Sequence, residues 1–226
     1  MSDFISLEDI EFQVFDVLDT ENLCERGRFS DHDRSTCTGA LDLAMRIATS
    51  EFFPHAAKLD ANEPHYDGTK VELIPELANA LTAFAEAGFH ATHADHEHGG
   101  MQLPATIASA CAAIFAAANL SAASYPLLTS AAANLLAVFG NDQQKRDYMV
   151  PMYEGRYFGT MCLSEPHAGS SLGDIRCSAQ PMDNGNYRIR GSKMWISGGE
   201  HELSENIVHL VLAKLPDAPP GVKGIS

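Results

Sequence analysis

Basic residues are scarce in this 226-residue sequence, which has 15 Lys and Arg against 30 Asp and Glu and a formal net charge of −15. This charge repels a phosphate backbone and disfavours nucleic acid or an anionic membrane surface as the main partner. The five cysteines include no Cys-x-x-Cys pair, which disfavours a disulfide framework or a zinc site and fits a reducing cytoplasm. The start, MSDFISLEDIEF, lacks the features of a signal peptide. We therefore expect a globular cytoplasmic protein.

No Asp, Glu, Lys or Arg lies between Glu97 and Asp142. The stretch is nevertheless rich in Ala and Ser and is interrupted by Pro104 and Pro126. A membrane-spanning helix needs about 20 consecutive, predominantly apolar residues. We expect no span here, and predict instead two buried helices that pack through small side chains.

The first two-thirds of the chain shows helical periodicity, and the last third shows strand patterns. We predict helices over 7–18, 30–54, 72–87, 103–120, 125–139 and 142–153, with Ser30-Asp31 as a cap and with Gly88 and Gly140 as stops. Strands are expected over 156–165 and 207–215, with a hairpin turn at Asp183-Asn184-Gly185-Asn186 between two further strands. The order predicts an α+β fold, with a helical N-terminal domain over 1–155 followed by an antiparallel β middle domain over 156–226. The β domain reads as incomplete, because a further strand begins at the last residues; an all-helical chain is the alternative.

One short motif matches a hydrolase pattern. Gly169-x-Ser171-x-Gly173 fits the Gly-x-Ser-x-Gly nucleophile elbow, which needs a strand running into the serine and a helix leaving it. Pro166 upstream and an alternating, strand-like stretch downstream disfavour that context. A serine hydrolase stays open as one alternative function, and a non-catalytic helical interaction module as another.

Two other candidate sites are weak. A histidine-rich stretch could offer zinc ligands, but its alternation with Asp95 and Glu97 before Gly99-Gly100 is typical of an exposed loop. These histidines are His90, His93, His96 and His98. No metal site is predicted, although the pattern leaves metal binding by this stretch open. No P-loop and no Gly-x-Gly-x-x-Gly is present, so neither type of nucleotide site is supported.

Two segments that follow predicted strands carry the remaining candidate site. We call residues 161–176, MCLSEPHAGSSLGDIR, the Glu-Pro segment, and residues 191–199, GSKMWISGG, the Trp segment. Together they offer the hydroxyls of Ser164 and Ser197, amides around Gly169, and the indole of Trp195. Such a set suits a planar heteroaromatic ring, since the indole can pack on its face while hydroxyls and amides bond its edge. On these residues alone, a core tryptophan with turn-forming serines is equally plausible.

The two segments resemble the flavin-binding signatures of the acyl-CoA dehydrogenase family. The Glu-Pro segment is similar to the family's Leu-Thr-Glu-Pro-x-Ala-Gly-Ser-Asp pattern, and the Trp segment to Lys-x-Trp-Ile-Thr-Asn-Gly. The separation of the two segments and the order of helices before strands also fit. Residues 8–24 and 201–226 most resemble the longer branch that includes 3-methylthiopropanoyl-CoA dehydrogenase.

The resemblance implies a set of FAD contacts. Ser164 would replace the family's Thr while keeping its hydroxyl, and Ser170 would lie near both the flavin pyrophosphate and the substrate CoA. Ser171 stands where the family commonly has Asp, which leaves that role unassigned. The implied cofactor-binding residues are Met161, Cys162, Leu163, Ser164, Gly169, Ser170, Trp195, Ile196 and Ser197.

The resemblance also implies the reaction. A base removes the α-proton of an acyl-CoA thioester while the β-hydride passes to flavin N5, and electrons leave to an electron-transferring flavoprotein. The family's catalytic Glu lies in a C-terminal helical domain that has no counterpart in this sequence, so no catalytic residue is assigned here. We expect a homo-oligomer as the full-length form. We expect the 226-residue chain alone to be inactive and to bind FAD weakly.

Overall fold

The computed structural model describes residues 4–226. Helices dominate up to residue 153 and four strands follow, as predicted, but two short strands at 65–66 and 71–72 interrupt the helical part. The α-helices are α1 Leu7–Glu11, α2 Thr20–Cys24, α3 Arg34–Ile47, α4 Ala56–Ala61, α5 Pro75–Glu86, α6 Ala105–Ala118, α7 Leu120–Phe139, α8 Asp142–Gln144 and α9 Val150–Tyr153. Wider π-helical turns continue α1, α3 and α8 over Phe12–Val17, Ala48–Phe52 and Lys145–Met149. The strands are β1 His65–Tyr66, β2 Val71–Glu72, β3 Tyr157–Cys162, β4 Ser178–Pro181, β5 Tyr187–Arg190 and β6 Asn206–Val211. The α+β fold class is confirmed.

The strand pairing corrects one detail of the prediction. The hairpin β4–β5 is antiparallel, with Pro181 opposite Tyr187 around the Asn-Gly turn, but β3 pairs with β6 in parallel, with Tyr157 opposite Asn206. Parallel neighbours need a crossover connection of a dozen or more residues. The segment between β3 and β6 is long enough, because it holds the Glu-Pro segment, the hairpin and the Trp segment.

Side-chain caps determine where two helices begin. The N-cap of α3 is Asp33, not the predicted Ser30-Asp31: its carboxylate accepts the Thr36 N–H at 2.8 Å and completes a capping box. Asn119 caps α7 by accepting the Ala122 N–H at 3.1 Å, so this helix begins before the predicted residue 125. Pro126 is the seventh residue of α7 and does not end the helix, although a proline there cannot donate a backbone hydrogen bond to the preceding turn.

Aromatic rings form the centre of the helical core. Phe115 of α6 packs against Phe52 and Phe84 with ring centroids 4.9 and 4.7 Å apart. Tilted and edge-on ring pairs at these distances are favourable beyond the area that they bury. Leu41 of α3 and Leu77 of α5 are fully buried beside them. A second cluster of buried residues includes Leu136 and Met152, so the predicted helices bury two clusters.

Helix α7 is less buried than predicted. Its buried side packs on α6 and β3, but Leu127, Val138 and Phe139 are exposed. An apolar groove of about 480 Å³ lies between α6 and α7. Among the described residues, α7 is the one helix that is long and apolar enough to cross a membrane, a weak indication because a core helix passes the same test.

Strand β3 joins the strands to the helices through a close backbone contact. The N–H of Gly159 donates to Thr129 Oγ1 of α7 at 3.1 Å. A Cβ added at Gly159 would lie 2.6 Å from the Ala132 Cβ. Only a residue without a side chain allows this approach, which sets where β3, and hence the start of the Glu-Pro segment, lies.

Two buried histidines lie at the same junction. His90 is fully buried between Phe84 and Phe158, with ring centroids 5.1 and 5.6 Å away, and neither of its ring nitrogens has a hydrogen-bond partner. The ring of His201 also packs against Phe158, with ring centroids 5.3 Å apart. Burial lowers the pKa of His90 and of His201 to about 4, because it disfavours the charged imidazolium.

We predict that His90 makes folding stability depend on pH. Its folded pKa lies below the ordinary value of 6.5, so the unfolded chain binds protons more readily and stability falls as pH drops from about 6.5 towards 4. The wild-type chain should lose free energy of unfolding between pH 7 and pH 5. In His90→Phe this loss should be smaller by about 2 kcal/mol. Urea unfolding at the two pH values measures this difference.

The control for this prediction is His65→Phe, at an exposed position of β1. It should keep the wild-type pH dependence. An unchanged pH dependence in His90→Phe would contradict the prediction, whatever the absolute stability of that variant.

Candidate functional site

The structure brings the Glu-Pro and Trp segments into direct contact, as predicted. The N–H of Met194 donates to the carbonyl of Ser164 at 3.0 Å. The ammonium of Lys193 donates to the carbonyl of Leu163 at 3.0 Å and to Glu165 Oε1 at 2.9 Å. Consecutive residues of one segment therefore bind consecutive carbonyls of the other, which sets their relative position.

Glu165 is the centre of this contact. Its side chain is 2% exposed, and besides Lys193 it accepts the N–H groups of Arg176 at 2.7 Å and Cys177 at 3.0 Å. Burial alone would raise the pKa of Glu165, but these two N–H groups and the Lys193 ammonium lower it to about 2. The carboxylate is therefore held ionised and has three donors for its two oxygens.

Trp195 is exposed, so the alternative of a core tryptophan is wrong. Its residue is 84% exposed and has a left-handed backbone with φ 60°. A non-glycine residue in this region is uncommon, and such strain is concentrated at functional sites. Ser197 is also exposed, whereas Ile196 is half-buried and its carbonyl accepts the Gly199 N–H at 3.1 Å. An exposed indole beside loop amides fits a planar ligand.

Side chains of the Glu-Pro segment divide between two faces. Met161 is 38% exposed and Cys162 is 6% exposed, because successive residues of a strand point to opposite sides. The Cys162 side chain therefore does not share a surface with Met161. Leu163 and Ser164 are half-buried beside the Trp segment.

The glycine-serine part of the same segment is open. Gly169 lies next to the Ser164 hydroxyl, since a Cβ added there would be 4.0 Å from Ser164 Oγ. Ser170 is exposed. The predicted positions of this segment are thus close together in space, although their contacts with a cofactor stay a prediction.

The hydrolase alternative does not survive this geometry. Ser171 is exposed, lies well beyond the end of β3, and is followed by a single 3₁₀ turn, Leu172–Asp174, where an elbow requires a helix. The nearby His167 ring nitrogen contacts the Asp174 carbonyl at 3.1 Å, and no hydrogen bond joins it to Ser171 in the described part of the chain. No activated serine is present in that part.

The histidine-rich stretch is not a uniformly exposed loop. His90 is buried, whereas the His96 ring nitrogen contacts the Gly100 carbonyl at 3.0 Å. Within residues 4–226, no group of three or more His, Cys, Asp or Glu side chains is arranged to hold a metal ion.

Comparison with known proteins identifies the family. The model of the acyl-CoA dehydrogenase N-terminal domain matches residues 39–156. The chain belongs to the acyl-CoA dehydrogenase family. The match begins within α3 and ends at the residue before β3, and both signature segments lie beyond it.

Curated relatives agree with this assignment, and solved structures share the fold. The 3-methylmercaptopropionyl-CoA dehydrogenase of Ruegeria pomeroyi is 39% identical over 198 residues, which are 88% of this chain and 34% of that protein. A butyryl-CoA dehydrogenase of Syntrophomonas wolfei is 32% identical over 227 residues, covering 97% of this chain and 37% of that protein. An acyl-CoA dehydrogenase from Bacillus anthracis, solved as a complex with FAD, has a TM-score of 0.67 at 21% identity and covers 82% of this chain and 30% of its own. The chain spans about a third of the length of these curated relatives.

Sequence reasoning missed the two charged residues that hold the site together. Glu165 and Lys193 were present inside the quoted motifs but received no role. A carboxylate directly before proline in a glycine-rich stretch, and a lysine inside the otherwise apolar KMWI, were the available signals. Neither signal predicts that the two side chains are in contact, because they are 28 residues apart in the sequence.

We predict that Gly191 is required where the Trp segment begins. A Cβ at this position would lie 2.9 Å from the Cys177 backbone, and φ is 153°. Gly191→Ala should lower the free energy of unfolding by about 1–3 kcal/mol through backbone strain and overpacking. Thermal unfolding measures the loss.

Gly185→Ala is the matched control. Gly185 also has a positive φ, of 80°, but no atom lies within 4 Å of an added Cβ. This variant therefore measures the backbone strain without the close contact that Gly191→Ala makes with Cys177. Equal destabilisation by the two variants would show that the close approach of Cys177 is unimportant.

Proposed function

We propose that this chain is the flavin-binding part of an acyl-CoA dehydrogenase that desaturates an acyl-CoA thioester between its α and β carbons. The observation that supports it most directly is the contact between the two signature segments, which presents an exposed Trp195 beside the half-buried Ser164. When bound, FAD supplies the hydride acceptor for this reaction. Residues 1–155 would form the helical domain and 156–226 part of the β domain.

The groups that these segments offer are of the chemical kinds that bind FAD. Trp195 offers an indole face for the isoalloxazine, and the hydroxyls of Ser164 and Ser197 can bond its polar edge. Gly169 and Ser170 offer backbone N–H groups and a hydroxyl to the pyrophosphate, and Ser170 also to the CoA. Met161, Leu163 and Ile196 would contribute apolar surface, and Cys162 its main chain.

Charge distribution also favours phosphate-bearing ligands at the strands. Residues 157–226 contain six Lys and Arg against seven Asp and Glu, whereas the remaining acidic excess lies in the helical part. A nearly neutral surface repels the phosphates of FAD and CoA less than the helical surface does.

The partners of the whole protein follow from the family. We propose an acyl-CoA substrate, an electron-transferring flavoprotein as electron acceptor, and a homo-oligomeric form. Five buried free cysteines fit a reducing, cytoplasmic location. The name of the Ruegeria relative suggests a methylthio-substituted acyl-CoA as the first substrate to test.

We predict that the 226-residue chain binds FAD through Trp195, with an affinity weaker than about 1 µM, and has no turnover with acyl-CoA. The Trp195 side chain is largely open to solvent, and a site so exposed lacks the desolvation that makes contacts add up to tight binding. Isothermal titration with FAD measures the affinity. Trp195→Ala should weaken it by about 0.5–1.5 kcal/mol, the contribution of an aromatic pair.

The control is Tyr187→Ala, which removes an exposed ring from β5. It should leave FAD binding unchanged. Equal losses in both variants, or no binding by the wild-type chain, would contradict the proposed flavin site. Submicromolar affinity or bleaching of bound flavin by acyl-CoA would contradict the expected weakness and inactivity of the chain.

A further inference from the structure

A buried ion pair lies beneath the proposed flavin site. The side chains of Glu165 and Lys193 are 2% and 11% exposed and are 2.9 Å apart. Removing two charges from water is costly, and a buried pair is often no more stabilising than apolar residues of similar volume. Stability alone therefore does not explain a pair at this location.

The hydrogen bonds of the pair point to positioning. Lys193 donates to Leu163 O as well as to Glu165, and the neighbouring N–H of Met194 bonds Ser164 O. Glu165 also accepts the N–H groups of Arg176 and Cys177. The pair thus ties together the start and the end of the Glu-Pro segment and the middle of the Trp segment.

The residues proposed to touch flavin are neighbours of the pair. Ser164 precedes Glu165, and Trp195 lies two residues after Lys193. Trp195 has a strained backbone and an exposed side chain, so its own packing does not fix its position. Side chains that bind a ligand in one geometry need neighbouring residues to hold them in position.

We propose that Glu165 and Lys193 form a positioning pair that holds Ser164 and Trp195 in the arrangement that binds flavin. The inference rests on the proposed function and assigns neither residue a role in the chemistry. Because the pair acts through other groups, its loss should affect flavin affinity even when stability is preserved.

The test compares three variants with the wild-type chain. Lys193→Met leaves a buried unpaired carboxylate, while Glu165→Gln with Lys193→Met removes both charges; Lys193→Arg keeps the positive charge. FAD is titrated against the emission of Trp195, the single tryptophan. Urea unfolding gives the stability of each variant.

The positioning role predicts different outcomes for stability and binding. Stability should drop in Lys193→Met and partly recover in the double variant, since no charge is then left unpaired. Recovery should be incomplete, because the amide NH2 of Gln cannot accept one of the two N–H groups that Glu165 binds. FAD affinity should fall about tenfold or more in both, because the bond to Leu163 O is lost in each. Lys193→Arg should retain most of the affinity. Recovery of affinity together with stability would overturn the proposal, since it would mean that the pair acts only on folding.

Lys70→Met is the matched control. It breaks another Lys–Glu pair, with Glu202 at 3.1 Å, but this pair is exposed and both of its residues lie outside the two segments. Affinity should stay within about twofold of the wild type. If Lys193→Met resembles this control, the proposal is wrong; if Lys193→Met does not fold, the double variant decides.

Hydrogen exchange of the apo chain separates this proposal from the proposed function. Amides of residues 191–199 should exchange faster in the double variant than in Lys70→Met, because the Trp segment loses an anchor. If wild-type Trp195 emission does not respond to FAD, the flavin function fails, and unchanged exchange would then overturn the pair's ordering role as well.

Discussion

The contact between Glu165 and Lys193 is the constraint on which the candidate site depends. The two segments are separated by a hairpin whose strand β5 is exposed along its whole length, so that hairpin does not bring them together through a core. Instead, a buried carboxylate binds an ammonium and two N–H groups. Such charge-assisted bonds are stronger and more directional than apolar contacts. They allow a loop with few buried side chains to have one conformation.

The position of that contact is in turn set by the helices. Gly159 allows β3 to approach α7 at backbone distance, and the Glu-Pro segment begins as β3 ends. On the other side, Gly198 of the Trp segment packs against the Tyr125 ring, where an added Cβ would lie 3.5 Å from the ring carbon Cδ1. Both segments are therefore anchored on one helix as well as on each other, so α7 acts as the scaffold of the site.

Local features were predictable from the sequence, and long-range ones were not. The hairpin followed from Asn184-Gly185, because that dipeptide adopts the turn which joins twisted strands, and the signature segments followed from their motifs. The parallel partner of β3 could not be predicted, since it lies beyond two intervening segments and strand patterns do not specify direction. The burial of His90 and the ion pair of Glu165 could not be predicted either. Polar and charged side chains are usually exposed, and the sequence does not show where the fold buries one or provides its partner.

The low pKa of Glu165 fits a residue that positions the site and not one that accepts a proton in the reaction. A general base for removal of an α-proton works best with a pKa near the operating pH, whereas the donors around Glu165 lower its pKa to about 2. Its lone pairs are directed at Lys193, Arg176 and Cys177, so protonating it would break the bonds that order both segments. A carboxylate that must stay ionised to maintain the site cannot also accept a proton in each turnover. The proton acceptor of the proposed reaction must therefore be a different group.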